Sequence, residues 1–360
     1  MNILYDYTIF LHQNLGGISR YFVNLEIALR VNHNTQILAP LHRNIFLKEY
    51  NKNKLNKYFK KFPKYTGKII NFYNQLLTTS VTRKFKPEIY HKTYYNDFWP
   101  KKFKGKKILT VYDLIHEIYQ LDYGFKKNYR PKKNCLINAD KIISISENTK
   151  RDLINIYNIP KEKIEVVHLA TNLDQVTTSK KKIVQEPYIL FVGDRKRYKN
   201  FNNLVKAYKM NNKIYDDFKL VVFGGEEFSK TEIENFKDVK LDLSKIVKCS
   251  GDDQILANLY ENAELFVFPS KYEGFGLPLL EASAKNCPIA CSNINVFKEV
   301  MANNVGYFNP DYPEDISKTM EDIIYSREKK ELLMQKALSK CKEYSWDKCA
   351  KQTINVYRLN

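Results

Sequence analysis

The chain is poor in the residues that build unusual scaffolds. Glycine and proline number 12 each in 360 residues, which excludes collagen-like repeats and Pro/Gly low-complexity segments. No apolar run approaches the ~20 residues that span a bilayer. The start, Met1-Asn2-Ile3-Leu4-Tyr5-Asp6, lacks a basic stretch followed by a long apolar one, so no secretory signal is expected. Cys135, Cys249, Cys287, Cys291, Cys341 and Cys349 form neither a CxxC pair nor a disulfide-like framework. That pattern predicts reduced thiols in a cytoplasmic protein. His12, His33, His42, His91, His116 and His168 make no HExxH or other metal-ligand spacing, and no GxSxG elbow is present. Zinc hydrolases and serine hydrolases drop out. An Asp-x-Asp pair is also missing, and Asp252-Asp253 opens a predicted helix, where it reads as a cap.

Acidic residues are scarce relative to basic ones, 40 against 59, leaving a formal charge of +19. With 44% hydrophobic and 28% charged residues the chain is nonetheless globular rather than disordered. Eight lysines stand between Lys48 and Lys68 against one acid, Glu49, interleaved with Tyr50, Tyr58, Phe59, Phe62 and Tyr65. Smaller clusters follow at Lys101 to Lys107 and at Lys126-Lys127 through Lys132-Lys133. Lysine mixed with aromatics suits an anionic membrane surface or single-stranded nucleic acid. A solvated face of a lysine-rich chain gives the same pattern.

Length alone suggests two domains, and the element pattern agrees. Strands are predicted at 2–7, 35–39, 89–91, 108–112, 141–146 and 164–168, with helices at 19–30 and 147–157. Ser146 is the expected N-cap of the latter. The region between the second and third of these strands is basic and poorly periodic. From Thr171 to Pro187 the pattern stops and the stretch reads as a linker. Alternation restarts with strands at 188–192, 220–223, 246–249, 265–269 and 288–291. Helices are expected from Asn200, over 229–236, 253–262 and 277–285, with a mostly helical tail from Pro313. This punctuation predicts an α/β protein made of two Rossmann-like halves, with ligands at the carboxyl ends of the strands. Cys287 and Cys291 alternate with Ile289 along a short strand and read as core.

The most informative stretch is Phe268-Pro269-Ser270-Lys271-Tyr272-Glu273-Gly274-Phe275-Gly276-Leu277-Pro278-Leu279-Leu280-Glu281. It reads as a strand end, a glycine turn and a helix start with Pro278 in its first turn. Gly274 and Gly276 let backbone approach a ligand closely, and the helix N-terminus offers unpaired N–H groups to an anion. No third glycine follows at the place a dinucleotide fingerprint requires.

Two glutamates framing Gly-Phe-Gly-Leu-Pro resemble the signature of glycosyltransferase family 4, the retaining group with the GT-B fold. The likeness extends along the chain. Gly16-Gly17-Ile18-Ser19-Arg20-Tyr21 resembles the family's N-terminal glycine loop, and Thr110 through Glu117 the segment after its fourth strand. Ala139-Asp140 with Ser144 to Lys150 is similar to a further family stretch. Phe191-Val192-Gly193-Asp194-Arg195 with Tyr198-Lys199-Asn200 resembles its basic phosphate-binding loop. Tyr344-Ser345-Trp346 resembles the start of the final helix, which in GT-B enzymes returns to the first domain.

The resemblance implies an acceptor-binding domain at 1–175, a nucleotide-sugar-binding domain at 183–342, and a crossing helix at 343–360, with the two domains facing each other across a cleft. It implies retaining, metal-independent transfer of a hexose or related sugar from a nucleotide-diphosphate donor. The acceptor would be a glycan or a lipid-linked oligosaccharide of bacterial surface polysaccharide or lipopolysaccharide. No cofactor is expected, since the nucleotide sugar is a substrate, and no nucleic acid. The enzyme would be cytoplasmic, or peripheral on the inner membrane face through Lys48–Lys68. Arg195, Lys199, Gly16, Gly17, Gly274, Phe275, Gly276, Leu277 and Glu281 are the implied donor-binding residues, with Glu281 on the ribose. Glu273, Asp113 and His116 are the implied catalytic residues.

The chain departs from the family in places. Tyr112 stands where many members have histidine before Asp113, and Tyr198 and Asn286 replace a common Arg and Gly. His116, three residues after Asp113, either supplies the imidazole or is a packed structural histidine. Asp113 either serves the site or caps its turn. A nucleotide-sugar epimerase or phosphorylase of the same architecture, and a basic nucleic-acid-binding protein, are the rival functions.

Overall fold

The computed structural model describes residues 1–50, 53–119, 129–179, 181–195 and 197–359. Lys52, Lys126, Lys127 and Lys180 lie outside the described residues. The chain divides into two units, Met1–Leu169 with Trp346–Asn360, and Ala170–Ser345.

The first unit contains strands β1 (Asn2–Tyr5), β2 (Asn34–Ile37), β3 (Leu41–His42), β4 (Lys57–Tyr58), β5 (Ile89–Lys92), β6 (Lys106–Val111), β7 (Lys141–Ser144) and β8 (Ile164–Val166). Six of them form a parallel sheet in the order β2-β1-β5-β6-β7-β8, while β3 and β4 pair separately. In β1, Ile3, Leu4 and Tyr5 are all buried, as a strand covered on both faces requires. β5 is buried throughout although it carries His91 and Lys92. His91 fits because each ring nitrogen has a hydroxyl partner, Tyr357 at 2.6 Å and Thr110 at 2.8 Å. The Lys92 ammonium donates to the Asn96 and Phe98 carbonyls and to Asn96 Oδ1 at 2.5–2.7 Å. Tyr357 belongs to the helix Trp346–Arg358, which packs on the helix Gly17–Leu29 of this unit.

The region between β2 and β5, poorly periodic in sequence, holds a 19-residue helix, Gly67–Phe85. Its inward face is made of Ile70, Asn74, Thr78 and Thr82, so apolar spacing does not mark the buried side. Asn74 compensates by hydrogen bonding the Leu41 backbone, accepting from its N–H at 2.8 Å and donating to its carbonyl at 3.0 Å.

The second unit carries β9 (Tyr188–Val192), β10 (Lys219–Phe223), β11 (Ile246–Cys249), β12 (Leu265–Phe268), β13 (Ile289–Ser292) and β14 (Gly306–Phe308). They form a parallel sheet in the order β11-β10-β9-β12-β13-β14. This is the doubly wound arrangement whose strand order reverses between the first and fourth strands, here β9 and β12. Its core joins Phe191, Leu220, Val222 and Val267 to Phe201, Leu204 and Met320 from the covering helices. The stretch expected as a linker is tied to this unit. Lys285 donates to the Val176 carbonyl at 2.7 Å, and Asn258 to the Ser179 carbonyl at 2.9 Å.

Candidate functional site

In a doubly wound sheet the crevice opens where the strand order reverses, at the strands' carboxyl ends. In the second unit that point lies between the residues following Val192 and those following Phe268. The two segments are joined there, since the Lys271 N–H donates to the Tyr198 carbonyl at 2.8 Å. After β9 the chain runs through Gly193, where φ is +136°, into a tight turn at Arg197–Lys199 and the helix Phe201–Met210. Asn200 takes the left-handed conformation at the helix start and its amide donates to the Pro310 carbonyl at 2.6 Å. The end of the loop is thus tied to the segments that follow β12 and β14.

Two sequence-singled residues meet at this point. Lys199 Nζ lies 2.6 Å from Glu273 Oε1, and both side chains are largely buried. The ammonium also lies 5.4 Å from the centroids of the Phe268 and Tyr198 rings. An ion pair so sheltered gains from low dielectric but keeps a desolvation cost, and it is strongest when both members stay paired.

Arg195 goes elsewhere. Its Nε donates to Glu232 Oε1 at 2.5 Å, its Nη2 to the Glu226 carbonyl at 2.7 Å and the Glu227 carbonyl at 3.1 Å, and its guanidinium covers the Phe228 ring. Glu232 in turn completes a capping box with Ser229 at the start of the helix Lys230–Asp238. Burial pushes the Glu232 carboxyl up, but the hydrogen bonds from Arg195 and Ser229 prevail and hold it below its ordinary value. Glu232 was not singled out in sequence. Its signal was available in the Ser-x-x-Glu spacing of a capping box.

The glycine turn follows β12. Glu273, Gly274, Phe275 and Gly276 are all buried, and Leu277 opens the helix Leu277–Ala284 half-exposed. Gly276 has φ +98°, and a Cβ there would stand 2.8 Å from the Phe297 ring, so both conformation and space demand glycine. Phe275 packs edge-on against Tyr344, with ring centroids 5.9 Å apart. Glu281, one turn into the helix, accepts a 3.4 Å hydrogen bond from the Tyr260 hydroxyl. Burial, with the Glu281 carboxylate beside it, raises the Tyr260 phenol well above its ordinary value and keeps it a donor. Asp252 accepts from the Gln254 and Ile255 amides at 3.1 Å and caps its helix.

In the first unit, Gly16 and Gly17 stand at the start of the helix Gly17–Leu29. The Gly16 carbonyl accepts from Ser19 Oγ at 3.0 Å and the Arg20 N–H at 3.1 Å. Asp113 Oδ1 accepts from the Ile115 N–H at 3.1 Å, which turns the chain into the short helix Ile115–Ile118 bearing a half-buried His116. That helix is pinned by a pair not expected from the sequence, where Lys132 reads as part of a basic cluster and Glu117 as the end of a family-like stretch. Lys132 Nζ lies 2.8 Å from Glu117 Oε1, both side chains buried, and also donates to the Asp113 carbonyl at 2.8 Å. Tyr157 donates to the same Glu117 oxygen at 2.7 Å. Another unforeseen group is Asp6, which joins β1 to β5 where this sheet reverses its order. It accepts from the Thr93 N–H at 2.7 Å, Thr93 Oγ1 at 2.5 Å and Thr8 Oγ1 at 2.6 Å. In sequence Asp6 falls inside the strand predicted at 2–7, and no spacing in the chain ties it to Thr93.

Residues 175–340 match the family described as glycosyl transferases group 1, and residues 15–175 match glycosyltransferase family 4. Among curated proteins, the O-antigen chain mannosyltransferase B of Escherichia coli is 27% identical over 300 residues, covering 77% of this chain and 76% of its own. The O-antigen chain mannosyltransferase RfbU of Salmonella typhimurium is 27% identical over 286 residues, covering 73% and 78%. A solved glycosyltransferase from Rickettsia africae superposes with a TM-score of 0.73 at 18% identity, covering 99% of this chain and 97% of its own. Anabaena HepE, solved in complex with UDP-glucose, superposes with a TM-score of 0.77 at 13% identity and covers 99% of each chain. The structural likeness assigns the fold, GT-B, and the family matches do not favour the epimerase, phosphorylase or nucleic-acid-binding alternatives.

Proposed function

The chain belongs to the family 4 glycosyltransferases, and from that membership we propose that it moves a hexose, mannose being the first to try, from a nucleoside-diphosphate donor to a glycan or lipid-linked acceptor of a bacterial surface polysaccharide. We read the transfer as retaining and metal-independent, carried out at the cytoplasmic membrane face, with the Lys48–Lys68 run toward an anionic leaflet. The observation that carries the reading is the buried Lys199–Glu273 pair beside the Gly274–Leu277 turn, where the strand order of the second unit reverses.

A carboxylate and an ammonium in contact can be separated productively by a ligand that offers each a better partner. The donor does so. Its diphosphate takes the Lys199 ammonium, assisted by the N–H groups of the Gly274–Leu277 turn. Glu273 is then released toward the transferring sugar, where a carboxylate stabilises oxocarbenium-like charge at the anomeric carbon. Glu281 accepts from the ribose hydroxyls. Arg195 reaches the diphosphate only by exchanging the Glu226, Glu227 and Glu232 contacts it already makes, so its first role is to brace the loop beside the site. Within the first unit, Asp113 sets the turn that carries His116. Lys199 and the backbone amides stabilise the leaving diphosphate in place of a metal ion.

Purified protein incubated with GDP-mannose, UDP-glucose and other nucleotide sugars, before and after exhaustive EDTA treatment, tests this reading. Slow release of the nucleoside diphosphate, unchanged by EDTA, is expected for one donor, with the anomeric configuration kept in the transferred product. Activity lost in EDTA and restored by Mg²⁺ or Mn²⁺ overturns the metal-independent mechanism. Absence of turnover and of thermal stabilisation by any nucleoside diphosphate overturns the donor site itself.

A further inference from the structure

The helix Gly67–Phe85 wears its apolar stripe on the outside. Ile69, Phe72, Tyr73 and Leu76 follow the i, i+3, i+4, i+7 spacing that ordinarily buries a helix. They are 70%, 61%, 46% and 53% exposed, respectively. The inward side is held by polar contacts, Asn74 on the Leu41 backbone and Asn71 Oδ1 accepting from the Tyr7 hydroxyl at 2.8 Å, and by Val81 and Phe85 packed against Leu4, Leu38 and Tyr90. The outward stripe is therefore not a core face left over from poor packing, because the helix is already docked through its other side. Just before it, Tyr65 is almost wholly exposed, and Phe59 adds a further open ring.

The charge around this stripe has one sign. From Tyr50 to Pro87 there is no Asp or Glu, against ten Lys and Arg. Lys57, Lys60, Lys61, Lys64 and Lys68 are exposed ahead of the stripe, and Arg83 and Lys84 beyond it. Apolar and aromatic side chains on one helix face, fringed by cations and free of acids, form the pattern of a helix lying in the plane of a membrane interface. Among the described residues no helix is long and apolar enough to cross a membrane.

We propose that the Gly67–Phe85 helix docks this protein on an anionic lipid surface, with Ile69, Phe72, Tyr73 and Leu76 entering the headgroup–acyl boundary and the flanking lysines meeting lipid phosphates. The inference rests on the membrane reading of the Lys48–Lys68 run and assigns its apolar half to a different segment. A neutral or acidic protein groove is the less suited occupant, since the cations spread along nearly forty residues rather than at one rim.

Cosedimentation with phosphatidylglycerol-containing and with pure phosphatidylcholine vesicles, over a range of salt, tests the assignment. Wild type binds the anionic vesicles only, and high salt releases part of it. The double variant Phe72→Ser/Leu76→Ser binds at least about tenfold more weakly while keeping wild-type hydrolysis of the soluble donor and wild-type thermal stability. A Phe72→Trp variant is quenched by brominated lipid. Binding abolished by replacing Lys57, Lys60, Lys61 and Lys64 with Gln, yet untouched in the double variant, upholds the basic run and overturns the helix. Vesicle binding equal in all variants overturns both. Concentration-dependent self-association that the double variant loses, without any vesicle binding, makes a second copy the occupant and overturns the proposal.

Discussion

At the scale of single residues, the three acidic and basic groups of the second unit separate into distinct experiments. Glu273 is paired with Lys199, whereas Glu281 is paired with a phenol, so their loss has different consequences. Glu273→Gln keeps the shape and a hydrogen-bonding oxygen but not the charge. It is expected to remove most turnover and leave nucleotide binding near wild type, as read by steady-state kinetics beside calorimetric titration with the nucleoside diphosphate. Glu281→Ala is expected to do the reverse, weakening nucleotide binding by about 1.5–3 kcal/mol through loss of a charged acceptor. On the proposed role of Lys199 at the leaving diphosphate, Lys199→Ala is expected to raise the kcat barrier by ~3 kcal/mol. A Lys199→Ala enzyme with wild-type kcat would exclude this lysine from the chemistry. These residues were visible in the sequence through the resemblance of their loops to family 4 motifs. It could not reveal that Arg195 is already occupied, because Glu226, Glu227 and Glu232 lie some thirty or more positions away.

At the scale of elements, the alternation of strand and helix was legible wherever burial follows residue polarity. β9, β11 and the helix Asp253–Asn262 run as their sequences indicate, and Ser146 caps its helix by accepting from the Thr149 N–H at 3.0 Å. Legibility failed where polar groups face inward. The helix Gly67–Phe85 buries Asn74, Thr78 and Thr82, and only the distant Leu41 backbone makes Asn74 affordable there. β14 is three residues long and escaped for want of a pattern. The glycine turn before the helix Leu277–Ala284 was legible as a turn, but its steric reason, the Phe297 ring, was not. That reason yields a measurement. Gly276→Ala forces a side chain into φ +98° and against Phe297, and is expected to cost about 1–3 kcal/mol of stability in thermal or urea unfolding. Unchanged stability would mean that the turn relaxes freely, and the amides of Gly274 to Leu277 would then not be preorganised.

At the scale of the whole molecule, the two units differ in how they answer acid. All six histidines lie between His12 and His168, so the second unit, Ala170–Ser345, contains none. Burial lowers His91 to about 3 and His42 to about 4, and it also lowers His12 and His33. A histidine whose folded value lies below its unfolded value of about 6.5 binds its proton mainly when unfolded. Its contribution to stability is complete above pH ~6.5 and is lost progressively as pH falls toward the folded value, by up to about 1.4 kcal/mol per pH unit for the buried His91 and His42 and by much less for the solvent-screened His12 and His33. In the second unit the lowered carboxyls of Glu232 and Asp242 act only below the ordinary carboxylate range. Between pH 6.5 and 5, therefore, only the first unit should weaken. Both tryptophans, Trp99 and Trp346, belong to that unit, so their fluorescence reports it selectively. The fluorescence-detected melting temperature should fall steadily from pH 7 to pH 5, while a melting phase of the second unit followed by far-UV circular dichroism stays fixed. His91→Gln keeps a partner for Tyr357 or Thr110 without a titrating ring, and should flatten the fluorescence profile by roughly one group's slope. A pH profile unchanged in His91→Gln would place the acid sensitivity on His42 or on the more exposed histidines instead, and would leave the buried contact of His91 with the helix Trp346–Arg358 without a part in it.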